Sequence, residues 1–116
     1  MTVQDVREIL QAEVLYGEDM LDKPVESGCG ADLMSDVLAF VKARTVLITG
    51  LINLHVVRTS EMVDISCIVF SRGKMPSEEI LEEAAEAGIA VLATQMTTYQ
   101  CCGELYKRGL PGTRRR

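Results

Sequence analysis

Three polar stretches hold the residues best suited to chemistry: Thr49-Gly50 with Asn53 just beyond, Ser71-Arg72-Gly73-Lys74, and Thr94. Arg72 and Lys74 are cations on either side of a glycine. A guanidinium offers paired N–H donors and an ammonium a compact charge, so together they suit a small anion. The hydroxyls of Thr49, Ser71 and Thr94 and the amide of Asn53 could add hydrogen bonds, and Arg58 could add a further cation. These short motifs lie apart in the chain and make a site only if the fold gathers them.

Other chemistry finds less support. Gly73-Lys74 is followed by Met75, and Ile68 stands where a Walker loop needs its first glycine, so this is no P-loop. Gly28-Cys29-Gly30 lacks the third glycine of a dinucleotide fingerprint. His55 is the only histidine, and nothing beside it resembles a catalytic triad. The four cysteines, Cys29, Cys67, Cys101 and Cys102, show no C-x-x-C spacing. They read as reduced thiols, with Cys67 a small buried hydrophobe and Cys29, between glycines, the most exposed and reactive of the four. Adjacent helical side chains point about 100° apart, so Cys101 and Cys102 do not easily share one metal ion. Glu78, Glu79, Glu82, Glu83 and Glu86 are spread along the polar face of one helix and read as a solvated surface. No catalytic residue, metal site or cofactor is expected.

The elements that would position the polar stretches follow from pattern. Ile65, Ile68, Val69 and Phe70 form an apolar run of the kind found in strands covered on both faces. Pro76 blocks helix upstream, Ser77 caps a new helix, and Glu78 and Glu79 lie in its first turn, where the dipole favours negative charge. Ile80, Leu81, Ala84 and Ala85 continue one apolar stripe to Gly88, placed to end the helix in a left-handed conformation. Val46 to Thr49 and Ile89 to Ala93 are two further apolar runs. Strands alternating with helices at intervals of roughly twenty residues imply βαβ units and a parallel sheet. Its strands then point their carboxyl ends the same way, and the polar stretches line one edge, where open α/β sheets bind ligands. Free amides at the start of the helix after Pro76 would assist.

Elsewhere, Thr2 and Asp5 resemble a capping box over a short helix carrying Val3, Val6, Ile9 and Leu10. Ala12 to Tyr16 reads as a strand. Pro24 to Ser27 reads as a second, leading into Gly28-Cys29-Gly30, whose glycines allow a sharp turn or a close approach. Leu33, Met34, Val37, Leu38 and Val41 share one helical face, with Asp32 or Ser35 as cap. Asn53 caps a helix through Val63, with Val56, Ser60 and Val63 on one stripe. A last helix from about Thr98 turns Cys102, Leu105 and Tyr106 inward, with Gly103 allowing close packing and Gly109 ending it.

The 116 residues suffice for one domain with its own core. That core is aliphatic, since 47% of residues are hydrophobic and only 4% aromatic. A net charge of −5 and a pI near 4.8 argue against nucleic acid as a partner. Absence of a long apolar window and of a leader pattern in Met1 to Leu15 argues against a membrane partner and for a cytoplasmic location. Residues 1–110 read as the α/β domain and 111–116, ending in Arg114-Arg115-Arg116, as a flexible basic tail.

Read together, the segments Gly30 to Leu38, Leu47-Ile48-Thr49-Gly50, Ile68 to Pro76 and Gly88 to Thr94 resemble the DRTGG domain family, over about Thr2 to Leu110. The likeness is greatest to short stand-alone members encoded near iron-only hydrogenases and signalling proteins in anaerobic bacteria. Such domains also occur fused in CBS-domain pyrophosphatases and some phosphate acetyltransferases. Where the family has Thr-Gly-Gly, this chain has Ser71-Arg72-Gly73; where an Asp-Arg pair would follow Thr49-Gly50, it has Leu51-Ile52-Asn53. The resemblance implies a three-layer-like α/β domain with a mainly parallel sheet flanked by helices, similar in fold to the amino-terminal domain of HPr kinase and the uridine-nucleotide-binding domain of Mur ligases. It further implies a domain that dimerises and accompanies or regulates a catalytic partner, without an active site of its own. Joined to the sheet-edge reading, this gives a non-enzymatic, homodimeric regulatory or ligand-sensing module, with a nucleotide or other small anion at Thr49, Gly50, Asn53, Ser71, Arg72, Gly73, Lys74 and Thr94. Two alternatives stand beside it. One is an adaptor that docks on a hydrogenase, kinase or other signalling partner without a ligand; the other is a redox or metal sensor using Cys29 with Cys101 or Cys102.

Overall fold

The computed structural model describes residues 1–113, so Arg114 to Arg116 of the expected tail lie outside the described residues. The chain runs α1 (Val3–Leu10), β1 (Glu13–Tyr16), a single 3-10 turn (Glu18–Met20), β2 (Ser27–Gly30), α2 (Met34–Phe40), β3 (Thr45–Thr49), α3 (Leu54–Met62), β4 (Ile65–Phe70), α4 (Glu78–Ala87), β5 (Ala90–Ala93) and α5 (Thr98–Lys107). The strands form one sheet in the order β1-β5-β4-β3-β2, with β2 to β5 parallel and β1 antiparallel at one edge.

Every residue of β3, β4 and β5 is buried, which explains why these runs show no polar alternation. Strands β2 to β5 lie side by side in chain order, so the three crossovers, all of one hand, put their helices on one face. Met34 and Val37 of α2, Val56 and Val57 of α3, and Ile80 and Ala84 of α4 accordingly share a core with Leu47, Ile68, Phe70 and Val91. On the other face α1 and α5 cover Val46, Ile48, Val69 and Leu92 with Val3, Val6, Leu10, Cys101 and Leu105. The layers are therefore helix, sheet, helix. No helix among the described residues is long and apolar enough to cross a membrane.

Local signals set most boundaries. Thr2 and Asp5 complete their capping box, Asn53 Oδ1 takes the Val56 N–H, Ser77 Oγ takes the Ile80 N–H, and Gly88 ends α4 at φ +72°. Thr97 opens α5 with a second capping box to Gln100.

Four expectations are corrected. The second strand is not Pro24 to Ser27 but Ser27–Gly30, because Gly28-Cys29-Gly30 pairs with Val46, Leu47 and Ile48 and is no sharp turn. α2 is only seven residues long, begins without a side-chain cap, and leaves Leu33 and Leu38 exposed, so neither Asp32 nor Ser35 caps it. In α5 Leu105 faces inward as expected and Cys102 is half-buried against the same core, but the fully buried partner is Cys101 and Tyr106 is 73% exposed. Gly103 is exposed, and a Cβ there would meet nothing within 4 Å, so it mediates no close packing. Beyond α5, Leu110 is buried, the Gly28 N–H donates to the Pro111 carbonyl at 2.9 Å, and Gly112 bridges Gly28.

Candidate functional site

Parallel pairing brings Thr49 opposite Phe70 and Phe70 opposite Ala93, so Thr49-Gly50, Ser71 to Lys74 and Thr94 do reach one edge of the sheet. They divide there into two halves with different chemistry.

The half above β2 and β3 is built on Asp32, two residues past the end of β2. Its Oδ1 accepts the Thr49 hydroxyl at 2.8 Å and the Gly50 N–H at 3.0 Å, while Thr49 Oγ1 accepts the Leu51 N–H at 3.1 Å. The Gly50 amide and then the Thr49 hydroxyl hold the Asp32 carboxyl below the usual carboxylate range against the opposing effect of burial, and the Arg72 charge adds the weakest contribution in the same direction. Asp32 is therefore an anion at neutral pH, with Oδ2 left for another donor. Arg72 is exposed and adopts the left-handed conformation, φ +60°. Its guanidinium reaches back over Gly50, where an added Cβ would stand 3.0 Å from Nη2, tighter than ordinary contact. Among the described residues no carboxylate pairs with Arg72 within salt-bridge distance. Glycine at position 50 thus leaves room for a cation beside a fixed carboxylate.

The half above β4 and β5 is closed. The buried Ser71 hydroxyl lies 2.7 Å from Thr98 Oγ1. Thr94 Oγ1 donates to the Leu10 carbonyl at 2.7 Å and accepts the Met96 N–H at 3.2 Å. The Arg72 and Gly73 N–H groups donate to the Met96 and Thr94 carbonyls at 2.8 and 2.9 Å, and the Lys74 N–H donates to the Ser71 carbonyl at 3.2 Å. Gly73, at φ +71°, lines a shallow depression of about 140 Å³ with Gln11, Glu13, Thr94 and Gln95. Lys74 is exposed next to it.

Asn53 serves as the α3 cap and joins neither half. The start of α4 is no anion cradle either: Ser77 occupies one amide, and Glu78 and Glu79 supply negative charge there. Sequence reasoning assigned Asp32 to helix capping and so missed it as a rim residue. Its signal was its place immediately after a strand, visible only once β2 is located at Ser27–Gly30.

A second feature lies beside the open half. A helix is about 10 Å from its neighbour and strands are about 4.8 Å apart, so one helix covers about two strands. Three helices cover one face of this five-stranded sheet, but only α1 and α5 cover the other, and β2 is left partly bare. The gap is a cavity of about 330 Å³, lined almost wholly by apolar atoms of Gly28, Gly30, Ile48, Leu105, Leu110 and the α5 stripe Tyr99, Cys102, Gly103 and Tyr106.

The thiols do not make a redox pair there. Cβ atoms built on Gly28 and Gly30 would point at Leu110 and at Cys102 Sγ, on the α5 side. Cys29, between them, must point the other way, and it packs with the core beneath α2. Cys29 is half-buried, contrary to its expected exposure, and burial, with Cys102 and Asp36 nearby, pushes its thiol pKa up. Burial pushes Cys67 up to about 12 and Cys101 to about 11, and it raises Cys102 as well. None is poised as a thiolate. Among the described residues no three His, Cys, Asp or Glu side chains gather as a metal site requires.

A family model described as the DRTGG domain matches residues 5–107. Comparison with curated proteins gives no match. Among solved structures, the chain is similar to the CBS and DRTGG domains of the regulatory region of Clostridium perfringens pyrophosphatase, complexed with its activator diadenosine tetraphosphate. The TM-score is 0.70 at 17% identity, over 95% of this chain and 47% of that one. The chain thus spans about half the length of that regulatory region, and a likeness at this identity is one of fold.

Proposed function

This chain belongs to the DRTGG domain family, and from that premise we propose that it is a regulatory, ligand-sensing module without catalysis of its own, binding a hydroxyl-bearing small anion of the nucleotide class. The binding surface is the open half of the rim, formed by Asp32, Gly50 and Arg72 with Lys74 at its margin. One observation supports this above all: among the described residues, a cation without an ion-pair partner is held over Gly50 beside a carboxylate that uses only its Oδ1 within the protein. An anion alone would favour Arg72 and be repelled by Asp32. A ligand with both a phosphate and sugar hydroxyls satisfies each, the phosphate on the guanidinium and a hydroxyl donating to Oδ2. The left-handed conformation of Arg72, costing about 1–2 kcal/mol for a residue with a Cβ, is the kind of local strain that persists at binding sites. The related pyrophosphatase region, complexed with a dinucleotide activator, lends the same ligand class.

The module is proposed to act as a homodimer in the cytoplasm. Leu33, Leu38 and Ile52, at 61%, 44% and 38% exposure, are the aliphatic surface that a second copy would cover. Sedimentation equilibrium of the wild type against Leu33→Lys/Leu38→Lys reads this directly: a dimer that becomes monomeric supports it, and a monomer in both overturns it.

Ligand sensing is tested by a thermal-shift panel of adenine, guanine and uridine mononucleotides, dinucleoside polyphosphates and cyclic dinucleotides. A ligand at about 100 times its Kd stabilises the fold by roughly 2.7 kcal/mol, a shift of about 10 °C. A panel without a hit refutes ligand sensing and favours the adaptor reading.

A further inference from the structure

The apolar cavity beside β2 borders the open rim. Gly30 lines the cavity and Asp32 holds the rim, and two residues of extended chain span about 7 Å at most. Thr98, at the head of α5, joins the two from the other side. It lies near Gly30 and hydrogen-bonds Ser71, which precedes Arg72.

The cavity's walls state what would fill it. At about 330 Å³ it sits at the lower end of ligand pockets, large enough for one ring system and too small for a whole dinucleotide. Among the described residues its lining carries no charged side chain. Tyr99 and Tyr106, 88% and 73% exposed, stand two turns apart on α5 with only Cys102 and Gly103 between them on that stripe. Two aromatic rings thus flank a floor of small residues, an arrangement that accepts a flat ring edge-on or stacked. The sheet edge adds backbone polar groups to the tyrosine hydroxyls. The Gly28 N–H donates outward to Pro111 and the Ala31 N–H donates inward to Ile48. By strand alternation the N–H and C=O of Gly30 face outward, an adjacent donor and acceptor at the cavity's open side. A ring with a neighbouring acceptor and donor, as every nucleobase has, complements such a pair.

We infer that this cavity is the ring-binding half of the site: the ligand's heteroaromatic base enters between β2 and α5, against Tyr99, Gly103 and Tyr106, while its phosphate stays on Arg72. The inference rests on the rim reading above and adds the subsite that recognises the base. Gly28, Gly30 and Gly103 then have a shared purpose, since side chains at these positions would fill the space.

The test uses the full chain and measures binding by calorimetry with adenosine, guanosine and uridine monophosphates, and with ribose 5-phosphate, which lacks the ring. Gly103→Leu fills the cavity from a position where an added Cβ meets nothing, and leucine favours helix over glycine by up to about 1 kcal/mol, so the fold is retained. Tyr99→Ala removes an exposed wall. The expected result is tenfold or greater weakening of the best nucleotide by either substitution, ribose 5-phosphate binding unaltered, and both ligands lost in Arg72→Ala. Nucleotide affinity unchanged in Gly103→Leu and Tyr99→Ala but lost in Arg72→Ala overturns the ring subsite and leaves the rim standing. Nucleotide affinity retained in Arg72→Ala overturns the rim reading and the two-part site with it, as does no binding by any of the four probes.

Discussion

The two halves of the sheet's carboxyl edge use similar residues to opposite ends. Above β4 and β5, the hydroxyls of Ser71 and Thr94 and the amides of Arg72, Gly73 and Lys74 all find partners within the protein, and they tie the edge to α1 and to the segment entering α5. Above β2 and β3, the hydroxyl of Thr49 and the amide of Gly50 converge on one carboxylate, and among the described residues the Arg72 guanidinium beside it has no ion-pair partner. A polar residue at a strand end is therefore no guide to binding until its partners are counted. The closed half contributes stability and the open half leaves capacity for a ligand.

The largest expected effect comes from opening the closed half. Thr94→Val keeps the shape but strands the Leu10 carbonyl and the Met96 amide, at about 1–3 kcal/mol for each group that cannot reach water. Urea unfolding should show a clear fall in midpoint with no change of slope, and Thr94→Ser should restore much of it; a midpoint unchanged in Thr94→Val would mean the half is not closed by this residue. Gly73→Val follows, because a β-branched residue must adopt φ +71° and its Cβ would stand 2.8 Å from Gln95 Oε1. About 1–2 kcal/mol is expected from the backbone alone, and a neutral result would show that the turn can relax.

In the open half the balance reverses. Arg72→Gly relieves a left-handed residue, so stability should stay the same or rise by up to about 1 kcal/mol while nucleotide binding is lost. A destabilised variant would make Arg72 structural and erase the contrast.

The smallest effect is in acid. Because the Asp32 carboxyl titrates below the usual range in the folded state, its contribution to stability is present above the unfolded value of about 3.9 and is lost as pH falls through the lower folded value. Asp32 is exposed, so the gain is small. Its side-chain resonance should show a midpoint below about 3.9, and Asp32→Asn should flatten the slope of stability against pH there. An ordinary midpoint would remove the hydrogen bonds that define this half.

What was legible in the sequence was what local chemistry decides. The apolar runs of β3, β4 and β5 read as buried strands once the helix signals between them were taken into account, and the caps at Thr2, Asn53, Ser77 and Gly88 act within a few residues of themselves. The missed features depend on partners far along the chain. β2 is Ser-Gly-Cys-Gly, with little strand propensity of its own, and exists because β3 lies beside it. The inward face of α5 was misread because Cys101 and Cys102 start two stripes only 100° apart, and periodicity cannot say which one meets the sheet. Asp32 was hidden for a related reason: a carboxylate before a helix signals a cap, and only the placement of β2 shows that it stands at the rim. The apolar cavity was not legible at all. It arises from two helices covering five strands, which is a property of the assembled layers.

In the proposed function the open half of the rim binds and the closed half does not. Amide chemical-shift mapping of the isotope-labelled chain during titration with nucleoside monophosphates tests it most directly. Shifts should concentrate at Gly30, Asp32, Gly50 and Arg72 and spare Gln11, Thr94 and Gln95. Shifts centred on the second group, or none at saturating nucleotide, would contradict it.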